Sequence, residues 1–96
     1  MAPTRREVFM YVITERILRG RTVVDSGQVR RLMYAVAEPE DGLEHVYART
    51  DMEGADAVLF LLASCLEGAE AAATRILSRL LAQKDLRGWQ IGRPMN

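Results

Sequence analysis

His45, Tyr47 and Arg49 are the residues whose types and spacing could do chemistry in this chain. They alternate, so in an extended segment all three side chains leave on one face. An imidazole, a phenol and a guanidinium held together can orient and polarise a carbonyl or a carboxylate. Tyr11 and Glu15 would join them if the apolar stretch near the N-terminus runs alongside and extends that far. The plainer reading is a solvated edge strand, where such residues are ordinary. Cys65 is the other candidate. It follows Ser64, a residue placed to cap a helix, so free backbone N–H groups and the helix dipole would favour its thiolate. Its plainer role is to fill a strand-to-helix corner as a small apolar side chain.

Several chemistries are excluded by what is missing. One cysteine rules out an intramolecular disulfide and a cysteine-only zinc site, and one histidine rules out a histidine cluster. No Gly-rich phosphate loop, paired metal-ligand spacing or nucleophile elbow occurs, so no cofactor and no metal are expected. Glu15 and Arg16 interrupt the apolar run behind Arg5-Arg6, so no signal peptide and no membrane span are expected, and a cytoplasmic protein without membrane partners is the expectation. Thirteen bases balance thirteen acids, which gives the molecule as a whole no pull toward nucleic acid. That balance is uneven along the chain: residues 1–31 carry net +4, residues 32–62 net −6, and the remainder net +2. The opposite segments can neutralise each other within the fold or between subunits.

The elements that must position these residues are organised around Asp56–Lys84. Ala57-Val58-Leu59-Phe60-Leu61-Leu62-Ala63 is apolar on both alternating faces, as a strand buried on both sides would be. Ser64 with Glu67 has capping-box spacing. Leu66, Ala69, Ala73, Ile76, Leu77, Leu80 and Leu81 then recur on one helical face. Upstream, residues 1–6 read as a short flexible arm. Val8–Thr14 reads as a central strand, with a helix over 8–18 as the competing reading. Glu15–Arg21 is either an extension of that strand or a loop. Asp25 and Gln28 have capping-box spacing ahead of the stripe Val29, Leu32, Met33 and Val36, and Pro39 stops that helix near Glu38. Pro39–Gly42 reads as a turn, Leu43–Arg49 as an edge strand, and Asp51–Gly54 as a hairpin loop. A short strand over Leu86–Gly92 closes the chain before Pro94, with Trp89 a core anchor sharing a face with Ile91.

The order β-α-β-β-α-β makes the chain one α+β domain over residues 7–96. In layout it resembles the ferredoxin-like fold, which implies a four-stranded antiparallel sheet with two helices on one face and the first and third strands central. RNA-recognition domains share this order, but the stacking aromatics and glycines of their third strand are absent from Ala57–Ala63, so nucleic acid is not an expected partner. A lone sheet of this kind leaves one face open, and here that face would be apolar. The expected cover is a second copy, as in dimeric α+β-barrel proteins, with a hydrophobic small molecule or a partner protein as other occupants. Leu59–Gln83, LFLLASCLEGAEAAATRILSRLLAQ, also resembles small uncharacterised actinobacterial proteins, some near natural-product biosynthesis genes. The strongly specified core, the surplus of apolar sheet face and the lack of an arranged catalytic group make a non-catalytic binding or accessory homodimer the leading expectation, with a place in secondary metabolism suggested by the second likeness. The layout resemblance to dimeric α+β-barrel proteins implies the alternative, a cofactor-independent monooxygenase, cyclase or isomerase.

Overall fold

The structure, a computed structural model, describes residues 7–92. Strand β1 spans Phe9–Leu18, helix α1 Ser26–Val36, β2 Leu43–Thr50, β3 Gly54–Ala63, α2 Leu66–Leu81 and β4 Gln90–Gly92. Short 3-10 turns occupy Pro39–Asp41 and Lys84–Leu86. The expected arm at residues 1–6 and the expected stop at Pro94 lie outside the described residues.

The four strands form one antiparallel sheet in the order β2-β3-β1-β4. β1 and β3 are its centre, as their two-sided apolar character predicts, and they pair along their whole length from Phe9 opposite Ala63 to Leu18 opposite Gly54. β1 is therefore longer than Val8–Thr14, and the charged Glu15-Arg16 pair belongs to the strand. The helical reading of residues 8–18 gives way to this pairing. β4 is much shorter than its partner and pairs only with Arg16, Ile17 and Leu18. Among the described residues, no strand lies along the other edge positions of β1, Phe9–Glu15.

Alternation divides the sheet into two unlike faces. Ala55, Ala57, Leu59 and Leu61 of β3 and Ile17 of β1 are buried, in one core cluster with Val29 and Met33 of α1 and Ala69, Ala72, Ala73, Ile76, Leu77 and Leu80 of α2. Both helices thus cover the same face. Val58, Phe60 and Leu62 point the other way and remain partly exposed. The expectation that β3 is buried on both sides is correct for one face only, because no described element covers the second.

Local signals hold where the chemistry is local. Asp25 caps α1 through a complete capping box with Gln28, and the helix ends at Val36, two residues short of Glu38. Gly42 takes φ +70°, and its carbonyl accepts the N–H of Leu62 at 2.8 Å. A side chain there would run into the Leu62 carbonyl oxygen. The cap of α2 is Cys65 instead of Ser64: its Sγ accepts the N–H of Gly68 at 3.4 Å. The Gly42 contact keeps the chain extended through Ala63, which shifts the helix start by one residue. Leu66 consequently begins the helix at its exposed end, 51% accessible, and does not reach the core. The closing segment also differs. Leu86 ends a 3-10 turn, and Trp89 precedes β4 as a buried anchor whose indole N–H donates to the carbonyl and hydroxyl of Thr22. Ile91 does not share its environment and is 46% exposed.

One polar cluster fixes the loop before β2 to α2. The buried carboxylate of Asp41 accepts from Arg79 Nη1 at 2.6 Å, Arg75 Nε at 3.0 Å and the Glu38 N–H at 2.9 Å. Burial pushes this carboxyl up, but the Glu38 N–H and the two guanidinium groups outweigh it and hold the pKa below its ordinary value.

Candidate functional site

His45, Tyr47 and Arg49 do share a face, and it is the open one. Their cross-strand neighbours are Phe60, Val58 and Asp56, and across β3 these face Val12, Thr14 and Arg16 of β1. A bulge between Leu43 and His45 sets this arrangement. Leu43 pairs with Leu61 and leans on the core, and the extra residue Glu44 turns His45 outward without disturbing Val46, which is fully buried. The His45 ring sits 5.7 Å from Phe60 and 5.9 Å, edge-on, from Tyr47.

Tyr11 does not join them. It stands opposite Leu61, on the helix-covered side, together with Glu15. Burial raises the carboxyl of Glu15, and repulsion from Glu70 adds to this. The two-residue period of β1 separates both groups from His45 by the thickness of the sheet, which removes them from the proposed constellation.

The open face runs from apolar to charged along its length. At one end lie Met10, Val12, Val58, Phe60, Leu62 and Tyr47, with Met10, Val12 and Tyr47 between 50% and 65% exposed. At the other, Arg16 bridges two acids: its guanidinium meets both carboxylate oxygens of Asp51, at 3.0 and 3.1 Å, and Asp56 at 3.1 Å. Arg16, with the N–H groups of Glu53 and Gly54, holds the Asp51 carboxyl down at about 2. Here one arginine of the basic first third is neutralised within the fold by two acids of the second third, whereas Glu38 and Asp41 of that acidic segment pair with Arg79 and Arg75 of the last third.

Tyr34 is a participant that the sequence did not announce. From α1 it reaches the free edge of β2, where its hydroxyl accepts the Val46 N–H at 2.9 Å and lies 3.3 Å from His45 Nδ1. Its only signal in the sequence is an aromatic residue one turn after Arg30, off the apolar stripe of α1. Arg30, His45, Val46 and Tyr47 line a cleft of about 220 Å³ at this edge, and Arg49 is not among them. Cys65 is exposed at the N-cap of α2 and does not belong to this cleft. Among the described residues no group of three or more His, Cys, Asp or Glu is placed to hold a metal ion, and no helix is long and apolar enough to cross a membrane.

Comparison with protein-family models, with curated proteins and with solved structures finds no match to this chain.

Proposed function

We propose that this chain is a small non-catalytic binding protein that works as a homodimer, with the open sheet face of one copy packed on that of another. The observation that carries this reading is the exposed apolar surface formed by Met10, Val12, Val58, Phe60, Leu62 and Tyr47. Two strands of ten residues and one of eight, at about 3.3 Å per residue and about 4.8 Å apart, give a footprint of roughly 450 Å² per copy. Two copies then bury on the order of 900 Å², close to the lower bound of about 1,000 Å² for a specific interface. A second copy suits this surface because Met10, Val12, Val58, Phe60, Leu62 and Tyr47 carry no charge to be stranded on burial, Asp51 and Asp56 are already paired with Arg16, and Arg49 lies at the rim beyond Tyr47.

The strand order, with β1 and β3 central, supports reading the domain as ferredoxin-like. The likeness of Leu59–Gln83 to actinobacterial proteins near natural-product genes supports an accessory role in secondary metabolism. An enzymatic role loses ground, because Tyr11 lies across the sheet from His45, Tyr47 and Arg49. Native mass spectrometry tests the packing. Val58→Glu places a charge at the centre of the face without touching the core, so the mass of the wild-type oligomer is expected to halve while circular dichroism stays unchanged. A wild-type monomer at tens of micromolar, or an oligomer indifferent to Val58→Glu, refutes the reading.

A further inference from the structure

A cavity of about 500 Å³ lies at the end of the sheet where β1 leaves for α1 and the β2–β3 hairpin turns. Arg19 and Val24 line it from the segment after β1, Gln28 from α1, Met52 from the hairpin and Trp89 from the turn before β4. Small-molecule sites span roughly 300–1,000 Å³, and this cavity is of that size. Its wall residue Thr50 pairs with the buried Ala55, and Val24 and Trp89 belong to the core cluster. The cavity is therefore on the helix-covered side of the sheet, away from the open face. β1 arrives from Phe9 at the far end of the sheet, and β4 runs from Gln90 opposite Leu18 to Gly92 opposite Arg16. At both of its ends the described chain thus heads away from the cavity.

We infer that this cavity binds a small monocarboxylate with an apolar body, its carboxylate held by Arg19 and the Gln28 amide and its hydrocarbon against Val24, Met52 and Trp89. The polar groups of the wall decide the charge. Asp51 is neutralised by both terminal nitrogens of Arg16 and also accepts the N–H groups of Glu53 and Gly54. Asp25 is turned to its own helix, where it accepts the Gln28 N–H at 2.8 Å. Gln28 Oε1 in turn accepts the Asp25 N–H at 3.0 Å, so the NH₂ end of that amide is the end left for a ligand. Arg19 is the one cation on the wall, and its guanidinium has no hydrogen-bond or ion-pair partner among the described residues. A planar guanidinium donates to both oxygens of a carboxylate at once, which an isolated ammonium or hydroxyl does not. The rest of the wall decides the body. The indole N–H of Trp89 is tied to Thr22, which leaves ring carbon to the cavity. Met52 and Val23, at 87% and 74% accessible, are the two most exposed large apolar side chains among the described residues, and both stand on this one wall. Apolar surface gathered around a cavity marks a place where apolar matter is received.

Trp89 is the one tryptophan of the chain, so its fluorescence reads the site directly. Titration of the full chain with octanoate is expected to give a saturable change. Octanamide, which keeps the shape and lacks the charge, is expected to bind about tenfold or more weakly, as the loss of one charge-assisted hydrogen bond requires. Arg19→Met keeps the apolar stem and should erase that preference, whereas Arg21→Met, outside the cavity, should preserve it. Met52→Glu sets a carboxylate at the exposed rim and should weaken octanoate by a similar factor, whereas Met52→Gln should not. Equal binding of octanoate and octanamide, or octanoate binding indifferent to both Arg19→Met and Met52→Glu, overturns the assignment. So does the absence of a saturable change with butanoate, octanoate, decanoate and phenylacetate at millimolar concentration. The dimer reading fails separately. An octanoate response lost in Val58→Glu and kept in Arg19→Met would move the ligand to the open face and overturn the cavity alone. A wild-type monomer that binds octanoate through Arg19 would refute the dimer alone.

Discussion

Replacing Asp41 by alanine removes the acceptor that gathers Glu38, Arg75 and Arg79 at the mouth of β2. The Asp41 side chain is fully buried, but those of Arg75 and Arg79 are 46% and 30% accessible, so the two cations can recover water and their share of the loss is small. What is not recovered is the ordering of the turn that the carboxylate holds through the Glu38 N–H. Three hydrogen bonds to a buried charged acceptor, discounted for the water that Arg75, Arg79 and Glu38 can regain, put the cost at about 2–4 kcal/mol. For a domain of this size that is a fall in Tm of roughly 10–25 °C. Urea unfolding should show the midpoint moving with an unchanged slope, and Asp41→Asn, which keeps one acceptor oxygen, should fall between the two. The pH dependence fixes the cause. Because the folded pKa of Asp41 lies below its unfolded value, its contribution is fully present above the ordinary carboxylate range and is lost as the pH falls through the folded value. The gap between wild type and Asp41→Ala should therefore be constant near neutrality and close on acidification. A cost below about 1 kcal/mol, or a gap that persists in acid, would show that the cluster is incidental to the fold.

Two further substitutions test the turns that set the frame. Gly42→Ala meets both a left-handed backbone and the Leu62 carbonyl oxygen, so it should cost more than the ~1–2 kcal/mol of the conformation alone, read as a lowered urea midpoint. Cys65→Ser replaces a weak sulfur acceptor with a hydroxyl at the cap of α2, and a rise in stability of about 0.5–1 kcal/mol is expected, with Cys65→Ala moving the other way. A Cys65→Ser protein no more stable than Cys65→Ala would mean that the cap contact contributes nothing.

The contrast between what the sequence foretold and what it hid follows the distance over which each interaction acts. Asp25 and Gln28 are three residues apart, so their capping box is visible as spacing. The central places of β1 and β3 were visible as composition, because a strand flanked on both sides and apolar on both faces has few alternatives. The alternation of His45, Tyr47 and Arg49 gave their common face. Which face Tyr11 took was not readable, since that depends on the register between β1 and β3, set by partners far along the chain. Asp41 with Arg75 and Arg79, Tyr34 with Val46, and Trp89 with Thr22 are all tertiary hydrogen bonds whose members look like ordinary surface or core residues until the chain is folded. The shift of the α2 cap from Ser64 to Cys65 is of the same origin, because Gly42 decides where β3 stops.

The pairing of β1 with β3 has a further consequence in time. Of the four described strands β1 is synthesised first, yet its long partner begins only at Gly54, after α1 and β2. At translation rates of about 5–20 residues per second, a strand that is apolar on both faces waits several seconds before the chain can supply its neighbour. β2 and β3, joined by a tight hairpin, can form as soon as both exist, but β1 must close a long loop to reach them. The nascent chain thus passes through a stage in which Phe9–Leu18 is complete and not yet paired with β3. Anything that slows synthesis of the segment between Ser26 and Ala63 prolongs that stage, so the yield of folded protein should depend on how quickly the ribosome delivers the middle of the chain.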